Sequence, residues 1–433
     1  MTSRIGRYAG LLREPAFRRL WVAQSISQFG TQITNLALPL VAILVLGASP
    51  FEVALLGAVE FLPYLLFTLP AGAWVDRLAK QRVLVVADLG RAAVLATLPA
   101  AAILHALALW QVYVVAFVAG SLSVFFDVAY QAILPELVTR DRLQEGNSRL
   151  EISRSAAQVL GPGVAGVLVG VLTAPIAILV DAISYLGSAA FLIGLRVRAA
   201  VVTAAPTDDD PLQPTRPSLR REVLEGLRFY RASPLLLASS AAIVTANLGG
   251  QIGGSIFLVY LVRELGLTPE GIGLAFSIGS LGLLAGAATG SAFGKRLGVG
   301  PTLILAATLA GGASFLLVVA SSSTAFALLV LSGLIQGYAV MLININGVSL
   351  RQALTPDHLQ GRVNATGRWI NWSVIPPGAI LGGVVATVFG LRATIAIGAV
   401  VSLVAVPWLL VSPLRSVRDL PRPYDPPATE PAS

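Results

Sequence analysis

Cysteine is absent from the 433 residues, histidine occurs twice, and only 12% of the side chains carry charge. Without cysteine there is no disulfide, no thiol nucleophile and no thiolate metal site. Two histidines, His105 and His358, leave almost no material for an imidazole-bound metal. Charge this sparse, beside a hydrophobic fraction of 55%, excludes a water-soluble globule, in which roughly 25% of residues are charged. The solvent must be lipid. A net charge of +8 would suit nucleic acid only if it were clustered on a soluble face, and it is not.

What is present is a series of apolar runs. Twelve are long enough to cross a hydrocarbon core of ~30 Å as helices. They lie near 17–46, 51–75, 83–106, 109–133, 148–172, 175–195, 235–262, 270–293, 300–320, 324–348, 366–389 and 392–412. The runs are continuous and do not alternate in polarity, which favours helices over a β-barrel. The N-terminal "MTSRIGRYAGLLREPAFRRLW" is basic like a signal peptide. Its apolar run is too long for one, so it reads as a retained first span.

Basic residues give an orientation. On one set of alternate loops and ends lie 25 Lys and Arg; the opposing loops hold Arg263 and Arg392 alone. By the positive-inside rule both termini are cytoplasmic. The longest loop, 196–234, divides the chain into a six-span half at 1–195 and a second at 235–412. Its Pro- and Asp-rich beginning reads as a mobile linker, and "SLRREVLEGLRFYR" as an amphipathic helix at the inner membrane surface. The Pro-rich tail 413–433 reads as disordered.

The second half echoes the first. "QAILPELVTRDRLQEGNSR" (131–149) matches "QALTPDHLQGRVNATGR" (352–368), and "GPGVAG" (161–166) matches "PPGAILGG" (376–383). "GAWVDRLAKQRV" (72–83) has a faded copy in "GSAFGKRLGVGP" (290–301). Parallel repeats imply two halves related by an axis along the membrane normal, around a central cavity that opens to either side. The fold class is therefore an all-α polytopic membrane protein, twelve helices in two pseudo-symmetric six-helix halves.

Gly72-x-x-x-Asp76-Arg77-x-x-Lys80-x-Arg82 resembles the loop between spans two and three of the major facilitator superfamily, with Ala79 where the family's second glycine stands. The likeness extends over nearly the whole chain. "FFDVAYQAILPELV", "LGPGVAGVLVG" and "LVDAISYLGSAAFL" resemble the branch of macrolide-efflux and enterobactin-exporter-like proteins. The resemblance implies a secondary transporter of a bacterial plasma membrane, exporting an amphipathic drug, antibiotic or siderophore-like molecule by proton antiport. It also implies a monomer, no cofactor beyond the proton gradient, and no nucleic-acid partner. An importer or facilitator, or a non-transporting sensor, on the same fold is the alternative.

In the loop motif Gly72 and Asp76 share one helix face, where a small residue admits a neighbouring helix and a carboxylate meets its N-terminal dipole. The resemblance implies that Asp76 latches the outward-facing state, while Arg77, Lys80 and Arg82 sit at the inner surface. Within the spans, Asp88 and Arg91 are three apart and able to pair, with Asp127 a candidate second partner and Arg154 a further intramembrane charge. This network is either a relay that responds to gating or a static buried cluster. Glu60 and Asp181 have no basic neighbour on their own helices, so they are candidates to carry protons or recognise a cationic substrate.

Gly161, Pro162, Gly163 and Gly166 form a kinked, close-packing segment in span five, a pattern that the resemblance associates with exporters. Gln24, Gln28, Gln32 and Asn35 follow one another at helical spacing, as do Asn247 and Gln251; with Gln336, Phe61, Tyr64, Trp369 and Trp372 they are candidates to line an amphipathic cavity, and Asn344 and Asn346 are lesser ones. An enzyme is disfavoured: "TDDDP" (207–211) has no second acidic motif, and "TGSAFGKR" (289–296) lacks the first glycine and the hydroxyl of a phosphate loop.

Overall fold

The computed structural model describes residues 10–75, 77–195 and 219–420. Among them twelve helices are long and apolar enough to cross a membrane, and the chain is a multi-pass membrane protein. They are Pro15–Val45, Pro50–Thr68, Lys80–Ile103, Leu109–Leu137, Arg140–Leu172 and Ala174–Ile193 in the first half. In the second they are Pro234–Glu264, Pro269–Leu297, Val299–Val318, Ala325–Leu354, Gln360–Phe389 and Leu391–Val411. They are numbered here as spans one to twelve. Spans four, five, ten and eleven outrun their apolar stretches at the basic end. Polar residues there keep helical hydrogen bonding, which a count of apolar residues alone misses.

By contacts the chain forms two units, Met1–Gln213 with Leu267–Ser277, and Pro214–Gly266 with Ile278–Ser433. Each has the same internal pairing. In the first, span one packs on five and six, three on four and six, and two on four. In the second, span seven packs on eleven and twelve, nine on ten and twelve, and eight on ten. An apolar cluster closes the basic end of each unit, around Leu84, Ile133 and Leu192 in one and Leu303, Leu350 and Leu409 in the other.

The repeat reaches into backbone detail. Spans one and seven each start with a proline in the first turn, Pro15 and Pro234. That residue gives up no hydrogen bond there, and its fixed φ suits a helix. Both end in a π-helical turn, Val41–Val45 and Tyr260–Glu264. Both then reverse at a glycine of positive φ, Gly47 at 65° and Gly266 at 69°. Ser49 and Thr268 follow, each accepting a hydrogen bond at the start of the next helix, from the amides of Glu52 and Gly271. Glu52 returns the bond to the Ser49 amide at 2.7 Å, a reciprocal cap.

One matched pair is unequal. Span twelve is entered through Gly390 at φ 84°, whereas span six is entered through Thr173 at φ 76°. A β-branched residue there is strained by about 1–3 kcal/mol. Thr173→Gly is expected to raise the melting temperature of the purified protein; an unchanged or lower value would contradict the strain.

The amphipathic helix read from "SLRREVLEGLRFYR" (218–231) is present as Leu219–Ala232, docked on the start of span eleven. Phe229 and Tyr230 are buried there, Arg362 donates to Glu225 at 2.6 Å, and a Cβ at Gly367 would strike the Tyr230 hydroxyl. Burial pushes the Tyr230 phenol above its ordinary pKa. The expected mobile linker, 196–218, lies outside the described residues. The expected disorder of 413–433 is corrected for its first part. Pro413–Ser416 form a turn, and the carbonyls of Arg418 and Val417 accept from the amides of Val299 and Gly300 at 3.1 and 2.9 Å. Those amides begin span nine and have no partner within it. Residues 421–433 lie outside the described residues.

Candidate functional site

The loop motif is partly visible. Asp76 lies outside the described residues. Gly72 lies in the last turn of the span-two helix, and a Cβ there would meet nothing within 4 Å among the described residues. Arg77 and Arg82 are exposed. Lys80 opens span three and forms an ion pair with Glu136 at the end of span four. Its neighbour Gln81 donates to the carbonyls of Leu192 and Ile193 at 2.9 and 3.1 Å, closing the C-terminus of span six.

Asp88 and Arg91 do pair, and both are buried. The Arg91 guanidinium lies between two aromatic faces, 4.1 Å from the Tyr185 ring centre and 4.3 Å from that of Phe126. It also donates to Ser123 at 3.4 Å. Asp127 accepts a long bond from the Tyr64 hydroxyl, at 3.4 Å, and lies within the electrostatic reach of Arg91 without a direct ion pair. Arg154 pairs directly with Glu151 one turn back, at 3.2 Å on an exposed face, and its charge is also felt at Asp127. Helical spacing predicts partners on one helix; which side chains meet across helices depends on rotation and depth.

Asp181 and Glu60 prove unlike. Asp181 is fully buried, and both of its oxygens are bonded, one by the Thr34 hydroxyl and the other by Ser184 at 2.9 Å. Gly30 makes this possible, because any Cβ there would overlap Asp181 and Ser184. Next to it Thr31 and Tyr185 share a hydrogen bond of 2.9 Å. Glu60 is half-buried in span two, and its carboxylate has no hydrogen bond or ion pair among the described residues. Gly120 of span four approaches its backbone, and Phe61 stacks on Tyr64 at 5.6 Å beside it.

The span-five glycines are packing positions. Gly161 receives Gln32, whose Cβ lies 2.5 Å from where a glycine side chain would begin. Gly163 donates its amide to Ser277 at 2.8 Å, and Gly166 faces Gly273 backbone to backbone, with Pro162 contributing its carbonyl to that crossing. The second unit repeats the arrangement with Gln251 over Gly378. Gln32 and Gln251 are therefore wedges against glycine, beyond any cavity role. Asn247 donates to the Asn371 carbonyl at 3.3 Å, Gln336 to Ser332 at 2.9 Å, and Asn346 to the Leu342 and Gly290 carbonyls. Gln28 is half-buried, and Asn35 and Trp369 are exposed. Trp372 stacks under Arg368 at 5.5 Å.

The sequence model of a family described as "Transmembrane secretion effector" matches residues 6–427. The chain belongs to this family of major facilitator transporters. It is 28% identical to the multidrug efflux pump Tap of Mycolicibacterium fortuitum, over 84% of this chain and 88% of the pump. It is 26% identical to macrolide efflux protein A of Streptococcus pyogenes, over 51% and 53% of the two chains. A bacterial homologue of the iron transporter ferroportin, solved in an inward-facing state, superposes with a TM-score of 0.72 at 16% identity. It aligns with 92% of this chain and 98% of its own. A mutant form of the nucleoside transporter NupG gives 0.71 at 13%, over 91% and 99%. These two structures establish the fold. The protein is a transporter of small molecules and not an enzyme.

Several residues that organise the transporter's site were not legible in advance. Thr34 and Ser184 look like ordinary hydroxyls, and only the crossing at Gly30 brings them to Asp181. Glu136 and Gln81 fasten span ends. Arg392, one of two exceptions to the basic-side bias, caps span nine by donating to the carbonyls of Val318 and Ala320 at 3.1 and 3.0 Å. It also holds Glu264 at 2.9 Å. A structural duty there outweighs the topological preference.

Proposed function

We propose that this transporter exports an amphipathic small molecule, of the macrolide or multidrug kind, in exchange for protons by alternating access. In this reading it works as a monomer in a bacterial plasma membrane with both termini in the cytoplasm. The observation that carries it is the distribution of intramembrane acids. Glu60, Asp88, Asp127 and Asp181 all fall in the first unit, and Glu60 stands without a partner among the described residues. A carboxyl kept inside a membrane protein against its insertion cost is a functional group by default. An unpaired one is free to take a proton or a cationic substrate, whereas Asp181 is already engaged by two hydroxyls. The names of Tap and of macrolide efflux protein A support the export direction and the substrate class.

The test is accumulation of labelled erythromycin and of ethidium in a bacterium stripped of its own pumps. The transporter should lower both, and Glu60→Gln should return accumulation close to that of cells without it. If Glu60→Gln pumps as well as the parent, the assignment of Glu60 is wrong. If the parent raises accumulation, the direction is wrong.

A further inference from the structure

The two units finish their basic ends differently. At one constant offset along the chain Pro15 pairs with Pro234, Gly30 with Gly249, Gln32 with Gln251 and Gly47 with Gly266. The same register lays Asp76, Arg77, Leu78 and Ala79 over Lys295, Arg296, Leu297 and Gly298, a shift of one residue against the faded copy of the loop motif. The acid of the motif thus becomes a lysine, and the charge at that position inverts in the second unit.

The fastening of this turn differs too. In the first unit side chains do it: Gln81 closes the end of span six, and Lys80 is neutralised by Glu136. In the second unit the backbone after span twelve does it. Leu414 is fully buried, the carbonyls of Val417 and Arg418 take the first amides of span nine, and a Cβ at Gly300 would overlap the Leu414 carbonyl oxygen. Gly298 turns at φ 95°, and a Cβ there would stand 2.8 Å from the Arg418 Cα. Residues 413–418 are therefore strapped across the turn between spans eight and nine.

The strap gathers Arg415 and Arg418 around the same turn as Lys295 and Arg296, which end the span-eight helix. All four are exposed, and none has an ion pair or a side-chain hydrogen bond among the described residues. Asp419, next to Arg418, is the one acid on the strap. At the basic end of the first unit, by contrast, Lys80, Arg142 and Arg149 are each paired with a glutamate. A preference for basic residues on one side of the membrane accounts for the number of these cations. It does not account for a backbone strap that collects four of them, whose mutual repulsion calls for a counter-charge from outside the chain.

Below the cluster the surface turns apolar at once. Leu297, directly after Arg296, is 45% exposed, and Val411, just before the strap, is 87% exposed. Trp408, one turn further into span twelve, is half exposed. A cationic rim over an exposed apolar wall, with an indole at the boundary, matches a lipid that offers phosphate above and acyl chain below. A soluble anion would use the rim and leave the wall bare.

We propose that this turn is a headgroup site for an anionic phospholipid, with Lys295, Arg296, Arg415 and Arg418 around its phosphate and Leu297 and Val411 against its chains. The bound lipid ties the second unit to the bilayer at its basic end. The site is independent of proton exchange and of the exported molecule.

The experiment is native mass spectrometry of the full-length protein released from detergent that carries phosphatidylglycerol and phosphatidylcholine in equal amounts. The wild type should keep phosphatidylglycerol in preference. A Lys or Arg near an anionic surface is worth about fivefold in binding, so Lys295→Gln/Arg296→Gln/Arg415→Gln/Arg418→Gln should hold that lipid at least about tenfold more weakly. The charge-keeping Lys295→Arg/Arg296→Lys/Arg415→Lys/Arg418→Lys should retain it, so that a loss in the first variant reports charge and not misfolding. A third variant, Arg13→Gln/Arg18→Gln/Arg140→Gln/Arg228→Gln, removes as much exposed positive charge from elsewhere at the basic end and should bind as the wild type does. Equal loss in the first and third variants, or no preference in the wild type, overturns the site. Inorganic phosphate offered without lipid should leave no adduct. A phosphate adduct that disappears in the first variant would make this a site for a free anion and overturn the lipid assignment.

Discussion

Gly30→Val is expected to abolish folded protein. The new side chain would occupy the space of Asp181 and Ser184, where span six crosses span one with no gap. Overpacking of this kind typically costs about 1–3 kcal/mol. Here it also drives the Asp181 carboxylate from Thr34, and a lost hydrogen bond to a charged group adds about 1.5–3 kcal/mol. Together these reach about 2.5–6 kcal/mol, comparable to the lower end of the 5–15 kcal/mol stability of a typical domain. The measurement is the monodisperse fraction on size exclusion after extraction in mild detergent. Gly57→Val is the control, since a Cβ at Gly57 meets nothing within 4 Å, and it should behave as wild type. Equal yields from the two variants would contradict the tight crossing.

The second large effect is expected at Arg91. Arg91→Ala strands Asp88 as a buried unpaired carboxylate, at a cost of about 3–5 kcal/mol. Removing both partners is a different matter, because an ion pair replaced by apolar residues is often neutral or stabilising. The second unit already carries Ala307 and Ala310 at the matching positions. Asp88→Ala/Arg91→Ala should therefore melt close to the wild type, while Arg91→Ala melts far below it. If the double variant is as unstable as the single, the guanidinium serves chiefly through Phe126 and Tyr185 and not through Asp88.

How far the sequence predicted this arrangement depended on whether the signal was local. Twelve spans could be read because lipid demands long apolar runs, which nothing else in a chain imitates. The Asp88–Arg91 pair could be read because three residues on a helix make neighbours. The Lys80–Glu136 and Thr34–Asp181 contacts were hidden, because each joins different spans whose rotation no single run encodes. For the same reason spacing could not show that Asp127 bonds Tyr64 and feels Arg91 only without direct contact, or that the direct partner of Arg154 is Glu151. Three stretches betrayed the repeat in the sequence. Its deeper form, glutamine wedged on glycine at Gln32–Gly161 and Gln251–Gly378, emerged only when the spans were packed.

The repeat also explains why the acids matter. Evolution of two halves from one pattern leaves shared features, such as the glycine crossings, to the scaffold. Asp88, Arg91, Asp181 and Glu60 are not shared, and stand apart from what folding alone requires.

Proton exchange is measured on the purified protein in sealed vesicles. With labelled erythromycin on both sides and no other energy source, an imposed pH gradient should drive it into the vesicles against its concentration. The protons should leave in step, reported by a trapped pH dye, and collapsing the gradient with an ionophore should stop both. Erythromycin that merely equilibrates, at the same rate with and without the gradient, would contradict the account.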